Sequence, residues 1–492
     1  MRIAFWGHIG ACTIPLALAS VLTSRTALAS SVLETVGAPG VGNGLTARVL
    51  AQGTETTYYN PAFLPEIETD LSFGTLVVGE WSHIRLMPRP AGVNVPDSVY
   101  DADLVRSPAN ASGFWPQPTS QLLHRRADTT THELTPYLSM GLVRPLFGKS
   151  LVFGFYGMVP TSGFLRQDSS FPDEREQYFS NQLHTELLGD RLKVTTISSA
   201  VGGRILPGLS WGFGVDFGMA TRTHMQVYVP DAADQRTLLM VPQIETNLAI
   251  APYAAILVRP HDRVVFTTTV HMPKSWDTSG ENRLRFWDYT YPSGQTAVIQ
   301  DYSLTQGSET LRIGFGASTS GKHGRMDWKL GLQGVWTEWS HYRDRHNEAP
   351  LDAWHDTVNV GLGCALSWSR RHVFAEIGVA PSPVPDQTGR TNYVDNTRLT
   401  SSLGFEIPLQ YREANYSLGL YLQSQFLVPR SVTKDASAVH PVLDEVSDSS
   451  VDRIHGRPLP GAAGLQTNNP GYPGYSSSGT LLGAALVLKA IP

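Results

Sequence analysis

Apolar and polar residues alternate with a period of two along most of this chain, the pattern of strands whose two faces meet different surroundings. Leu209, Trp211, Phe213, Val215, Phe217 and Met219 alternate with Ser210, Gly212, Gly214, Asp216, Gly218 and Ala220. Val358, Val360, Leu362, Cys364, Leu366 and Trp368 stand against Asn359, Gly361, Gly363, Ala365, Ser367 and Ser369. The same alternation recurs at 373–379 and 416–423. It predicts fourteen strands, near 71–88, 132–146, 150–162, 192–206, 209–229, 244–259, 262–275, 309–320, 324–344, 353–369, 372–382, 397–409, 414–428 and 477–491.

Alternation by itself fits a soluble β-sandwich as well as a membrane barrel. The connections separate the two. Tight turns at Phe147–Lys149, Pro207-Gly208, Pro260-His261, Gly321–His323, Arg370-Arg371 and Gln410–Glu413 alternate strictly with longer segments, up to the one at 429–476. Short turns at one rim and long loops at the other are the arrangement of an outer-membrane β-barrel, whose turns face the periplasm. Trp328, Trp336, Trp339, Tyr342 and Trp354 fall near predicted strand ends, where they are expected to form an interfacial girdle.

Composition agrees with this class. Charged residues make up only 16% of the 492, against roughly 25% in an average soluble protein. The start, Met1-Arg2 followed by an apolar stretch and Ala27-Leu28-Ala29, reads as a secretory signal over 1–29. Without that segment and its two arginines, 36 basic residues face 43 acidic ones, so nothing draws the chain to nucleic acid. Cys364 is then the only cysteine, which excludes an internal disulfide. No later run of apolar residues reaches the roughly 18 that a transmembrane helix needs. Residues 30–70 carry little alternation but many small residues, including Gly37, Gly40, Gly42 and Gly44. This segment is expected to fold inside the lumen of a barrel formed by 71–492, because fourteen strands otherwise enclose an open channel.

Several stretches resemble the outer-membrane fatty acid and aromatic hydrocarbon transporters of the FadL/TodX type. Gly42-Asn43-Gly44-Leu45 through Tyr58-Tyr59-Asn60-Pro61-Ala62-Phe63-Leu64 is similar to the family's N-terminal hatch with its Asn-Pro-Ala motif. Trp336–Ser340, Pro383–Asp386, Tyr393–Leu399 and Ser402-Leu403-Gly404 follow in the family's order. Thr397 departs from it, standing where the motif has an acid, and the Ala490-Ile491-Pro492 end lacks the usual terminal aromatic. The resemblance implies passive uptake of long-chain fatty acids or hydrocarbons by a monomer in contact with outer-membrane lipids and lipopolysaccharide, its N-terminus on the luminal, periplasmic side. It also implies transport or hatch roles for Asn60, Pro61 and Ala62. The alternatives are a general-diffusion porin and a lipid-modifying barrel enzyme.

Local features add three expectations. Gly154, Gly157 and Pro160 weaken the third strand, and the family's kinked third strand implies an interruption there for lateral release into the membrane. Pro172 through Gly189 reads as a short helix presenting Tyr178, Leu183 and Leu187 on one face, either a landing groove for substrate or packing for the loops. Asp435, Asp444, Glu445, Asp448 and Asp452 read as a solvated external loop, with calcium binding as the alternative. No nucleotide, hydrolase or metal-ligand motif occurs, so no enzyme activity, metal or cofactor is expected.

Overall fold

The computed structural model describes residues 32–67, 70–87, 128–147, 150–161, 183–184, 188, 192–229, 239–287, 295–343, 349–388, 392–411, 414–434, 451–452, 457–458 and 474–491. Fourteen strands close into an up-and-down barrel. In chain order they are β1 (Asp70–Leu86), β2 (Asp128–Pro145), β3 (Leu151–Pro160), β4 (Thr196–Leu206), β5 (Leu209–Val229), β6 (Leu239–His261) and β7 (Val264–His271). They continue as β8 (Arg312–His323), β9 (Met326–Thr337), β10 (Thr357–Trp368), β11 (Arg371–Ala380), β12 (Arg398–Tyr411), β13 (Ala414–Thr433) and β14 (Gly474–Ile491). Each pairs antiparallel with its neighbour in sequence, and β14 returns to β1, Leu71 opposite Ala490 and Leu86 opposite Tyr475.

Burial inverts the rule for soluble proteins. Phe73, Leu138, Leu362 and Leu403 are between 52% and 55% exposed, whereas inward-facing Gln333 and Glu376 are 1% and 2% exposed. The apolar face of each strand therefore points out, as a lipid-facing wall requires. The Pro207-Gly208 turn lies where the sequence places it, and others are displaced by one to a few residues. Strands β6 and β8 run on through His261 and His323, and Ser369 and Arg370 both take positive φ, 48° and 63°, as a two-residue hairpin turn demands.

Three expectations need correction. The segment between β7 and β8 is not a loop throughout: Lys274–Trp287 and Gln295–Glu309 form a hairpin, whose first strand pairs parallel with the outer part of β5, Thr221 opposite Thr278. Its mixed composition hid it, since no face is consistently apolar. β9 and β10 are shorter than predicted, ending at Thr337 and starting at Thr357. A 3₁₀ turn at Trp339–His341 takes Trp339 out of the wall, and Trp339, Tyr342 and Trp354 are buried with Val384 and Tyr393 rather than forming a girdle. Tyr342 and Trp354 stack at 3.7 Å.

The third strand is likewise not interrupted. β3 pairs with β2 from Pro145↔Val152 to Tyr137↔Pro160, and with β4 from Leu151↔Gly203 to Met158↔Thr196, with no shift of register. Gly154 serves close packing instead, because a Cβ there would lie 2.3 Å from the hydroxyl of Thr57. Gly157 faces the lipid side beside Phe155, and Pro160 ends the strand, where its missing N–H breaks no ladder.

Cys364 lies half-buried on the outward face of β10, beside Leu362. A fluorophore coupled to it in proteoliposomes is expected to be quenched by lipids brominated in their acyl chains and left bright by aqueous iodide. The opposite ranking would remove this strand from the bilayer.

Candidate functional site in the barrel lumen

Residues 32–67 lie within the barrel, folded as three single turns of helix, α1 (Val32–Thr35), α2 (Ala47–Leu50) and α3 (Thr56–Tyr59), and a 3₁₀ helix at Pro61–Glu66. Helices this short are not stable by themselves, so the wall must hold the segment. Its hydrogen bonds reach strands on every side. The backbone N–H and hydroxyl of Thr46 both donate to Glu376 on β11 at 2.7 Å, and Asn43 donates to the carbonyl of Ser401 on β12 at 2.7 Å. Arg48 donates from its backbone to Gln333 on β9 at 2.8 Å and from Nε to Thr269 on β7 at 2.9 Å. From the opposite wall, the Tyr253 hydroxyl on β6 donates to the carbonyl of Thr57 at 2.6 Å, and Thr54 bonds to Ser72 on β1.

Asn60, Pro61 and Ala62 lie at the centre of this docking. The Asn60 amide donates at 2.7 Å to both the Arg48 carbonyl and the Thr267 hydroxyl, while its oxygen accepts from the Ala62 N–H at 3.2 Å. One side chain thus caps the 3₁₀ helix, joins two parts of the segment and fastens them to β7. Pro61 presses onto the wall where β4 and β5 carry no side chains: a Cβ on Gly202 would lie 2.2 Å from the Pro61 carbonyl oxygen, and one on Gly212 would lie 2.4 Å from its carbonyl carbon. The glycine face of β5 is therefore a seat for the motif. At the far end Glu66 takes a two-pronged contact from Arg259 at 2.7 Å.

A chain of buried charges runs from the segment to the outer hairpin. Glu34 pairs with Arg48 at 2.5 Å and accepts from the Tyr58 hydroxyl at 3.0 Å; Arg312 on β8 donates to that same hydroxyl at 3.2 Å and pairs with Glu309, which Lys274 meets at 3.0 Å. Glu309 and Lys274 are the facing residues at the base of the hairpin. Burial pushes the Glu34 carboxyl up, but the guanidiniums of Arg48 and Arg312 outweigh it and hold it at about 2. His271 stacks on Tyr253 at 4.7 Å and stands 3.4 Å from Asp216. None of these partners was legible in the sequence.

Between these contacts part of the lumen is apolar. Val32, Leu33 and Val36 are fully buried in a cluster with Leu76 and Val78 of β1, Tyr137 of β2, Tyr156 and Met158 of β3, and Leu481 of β14. Of the proposed landing helix, Tyr178 and Leu187 lie outside the described residues, while Leu183 is in extended backbone, bridged to Asn392, rather than in a helix. The acidic stretch lies outside the described residues except Asp452, which is in a two-residue bridge to Arg457. Gly154, Gly157 and Pro160 do not share a site.

No protein-family profile matches the chain, and no curated protein does. Among solved structures it is similar to a Pseudomonas aeruginosa FadL homologue, with 12% identity, a TM-score of 0.50, and coverage of 93% of this chain and 97% of that one. The toluene transporters TodX of P. putida and TbuX of Ralstonia pickettii align at 9% and 12% identity, each covering 93% of this chain and 99% of theirs, with TM-scores of 0.45 and 0.43. The chain thus has the fold of a FadL-type outer-membrane barrel.

Two outcomes follow for the luminal segment. Asn60→Ala removes three hydrogen bonds, each contributing about 1 kcal/mol, and should weaken docking by about 2–3 kcal/mol, read as faster hydrogen exchange over 56–66. Glu34 has a depressed folded-state value, so its contribution is present above the ordinary carboxyl value of 4.5 and is lost as pH falls toward about 2. The part of the docking that Glu34 supplies should be lost below about pH 4.5, read as protease cleavage within 32–60 of the folded barrel that rises as pH falls toward about 2. A rise near neutrality would show that another group controls docking.

Proposed function

We propose that this protein is a monomeric outer-membrane channel for passive uptake of small hydrophobic molecules, fatty acids or hydrocarbons, with residues 32–67 as a plug that shifts to let them pass. The observation that carries the reading is an apolar stretch of the lumen: besides the hydrogen bonds and ion pairs that fasten the segment, its Val32, Leu33 and Val36 meet apolar residues of β1, β2, β3, β13 and β14. An apolar solute finds its partners along that stretch. The FadL homologue shares the barrel in outline. Transport needs no energy input, since burial of about 0.8 kcal/mol per methylene draws the solute from water to the apolar wall.

Release into the membrane, rather than the periplasm, would avoid exposing that apolar surface to water again. With β3 unbroken, we place the exit beyond its outer end. β2 continues to Asp128, but its contact with the β3 side ends where the Thr161 N–H donates to the Pro136 carbonyl, so among the described residues 128–135 have a strand partner on the β1 side alone. Inward-facing Tyr137 and Met158 lead toward that edge.

Proteoliposomes containing the full chain should take up a long-chain fatty acid or toluene without an ion gradient, and planar bilayers should show almost no ion conductance. Deleting 32–67 should open a steady conductance. A large conductance in the intact protein would mean a general-diffusion porin, and Met158→Glu leaving hydrophobic uptake unchanged would remove the lateral exit.

A further inference from the structure

The outer hairpin is joined to the barrel along one side and at its root. After Met272, whose N–H still donates to the Pro252 carbonyl at 3.1 Å, the chain leaves the wall, and it returns at Leu311, whose carbonyl accepts from the Glu338 N–H at 3.0 Å. Between these points the hairpin lies along the edge of β5 that β4 leaves open. β4 pairs with β5 only as far as Ile197↔Phe217, and Lys274–Trp287 takes over from Thr221↔Thr278 to Val229↔Phe286. Among the described residues, Gln295–Glu309 pairs only with Lys274–Trp287. A two-stranded hairpin is marginal by itself, so one parallel ladder and the charges at the root hold it down.

Those charges alternate in sign. Lys274, Glu309, Arg312, Glu34 and Arg48 follow one another as cation, anion, cation, anion and cation, the first two on the hairpin, Arg312 on the wall and the last two on the luminal segment. All of them are buried. Arg312 is the junction: its Nη2 donates both to Glu309 and to the Tyr58 hydroxyl, while its Nε and Nη1 have no hydrogen-bond partner among the described residues. Its Nε stands 3.9 Å from Glu34. The other carboxylate nearby, Asp216 on β5, is already engaged by the Ser198 hydroxyl and stands 3.4 Å from His271. If the hairpin lifts, Lys274 and Glu309 leave as a neutral pair. Arg312 and Arg48 then share the single carboxylate of Glu34 in a dry interior, where uncompensated charge is costly. Lifting the hairpin therefore weakens the docked segment, and by the same coupling a seated hairpin holds it.

We infer that the outer hairpin is a latch on the luminal segment: seated on β5 it keeps residues 32–60 docked, and lifting away from β5 releases them. Arg312 joins the two movements. The inference concerns how the segment is held and goes beyond the uptake reading above.

The test fastens the hairpin without altering its charged root. Tyr228 and Arg285 are register partners near the hairpin's far end, so Tyr228→Cys with Arg285→Cys, in a Cys364→Ala background, provides a disulfide that oxidation closes and a reductant opens. Hydrogen exchange over 32–60 of the full chain in detergent should be at least about fivefold slower in the oxidised protein than in the reduced one. Adding Glu309→Gln should speed that exchange in the reduced protein and bring the two redox states within about twofold, because the hairpin then brings no anion to Arg312. Equal exchange in the oxidised and reduced forms of the cysteine pair alone would overturn the inference, a comparison made on one folded protein. So would a slowing that persists undiminished with Glu309→Gln, since the hairpin would then merely cover the segment. Uptake has no part in this readout: slowing without uptake of any solute sinks the uptake reading and leaves the latch, and uptake without slowing does the converse.

Discussion

In the hydrocarbon of a membrane no water is present to satisfy a strand's N–H and C=O groups, so a sheet there must leave no open edge. Everything else in this structure depends on that closure. The pairing of β14 with β1 makes each ladder continuous around the barrel, and once the backbone is satisfied the side chains divide by environment. Leu, Phe, Val and Ile go outward to lipid, and the inward positions are left to Gly, Ser, Thr, Gln and a few charges. Apolar inward residues such as Leu76, Val78, Met158 and Leu481 stand among these polar ones, and the wall leaves an interior that must be completed by something else.

Residues 32–67 complete it. Their helices are single turns with little intrinsic stability, and the wall supplies partners that the segment does not have in itself: Glu376 for Thr46, Gln333 and Thr269 for Arg48, Thr267 for Asn60. The dependence is mutual, because the same contacts satisfy buried wall groups that would otherwise be stranded. Such docking is specific without being strong, since each hydrogen bond exchanges for one with water when the segment leaves. The ion pair of Glu34 with Arg312 at 3.9 Å and the bond from Arg312 to the Tyr58 hydroxyl are a firmer attachment, as removing one partner strands the other in a dry interior.

The outer rim is organised by a second set of contacts. The aromatic stack of Tyr342 and Trp354, the loop grip of Arg430 and the bond from the Tyr475 hydroxyl to the carbonyl of Tyr393 at 2.8 Å draw the connections after β9 and β11 onto the barrel mouth. The Asp395–Arg398 stretch is central to this, and Thr397, where the resembling motif has an acid, contributes a hydroxyl that accepts from Ser382 at 3.2 Å. The missing acid leaves Arg398 with Asp395 as its facing carboxylate.

The sequence alone determined the fourteen wall strands and which face of each is apolar. Period-two alternation is a local property, and the contrast between tight turns such as Pro207-Gly208 and long connections is visible without any contact. It also pointed to Asn60-Pro61-Ala62 through a resemblance. It misplaced Trp339 and Trp354 because an aromatic near a strand end reads the same whether it meets lipid or another ring, and it read Gly154 and Pro160 as a break because a glycine that weakens a strand and a glycine that seats a neighbour are the same residue. The outer hairpin was missed since its support is the distant edge of β5, not its own pattern. Which wall residue meets which part of the luminal segment was decided only by the closed barrel: those partners, such as Asn60 and Thr267 or Thr46 and Glu376, are hundreds of residues apart and come together through the curvature and register of fourteen strands, and no window of sequence carries that information.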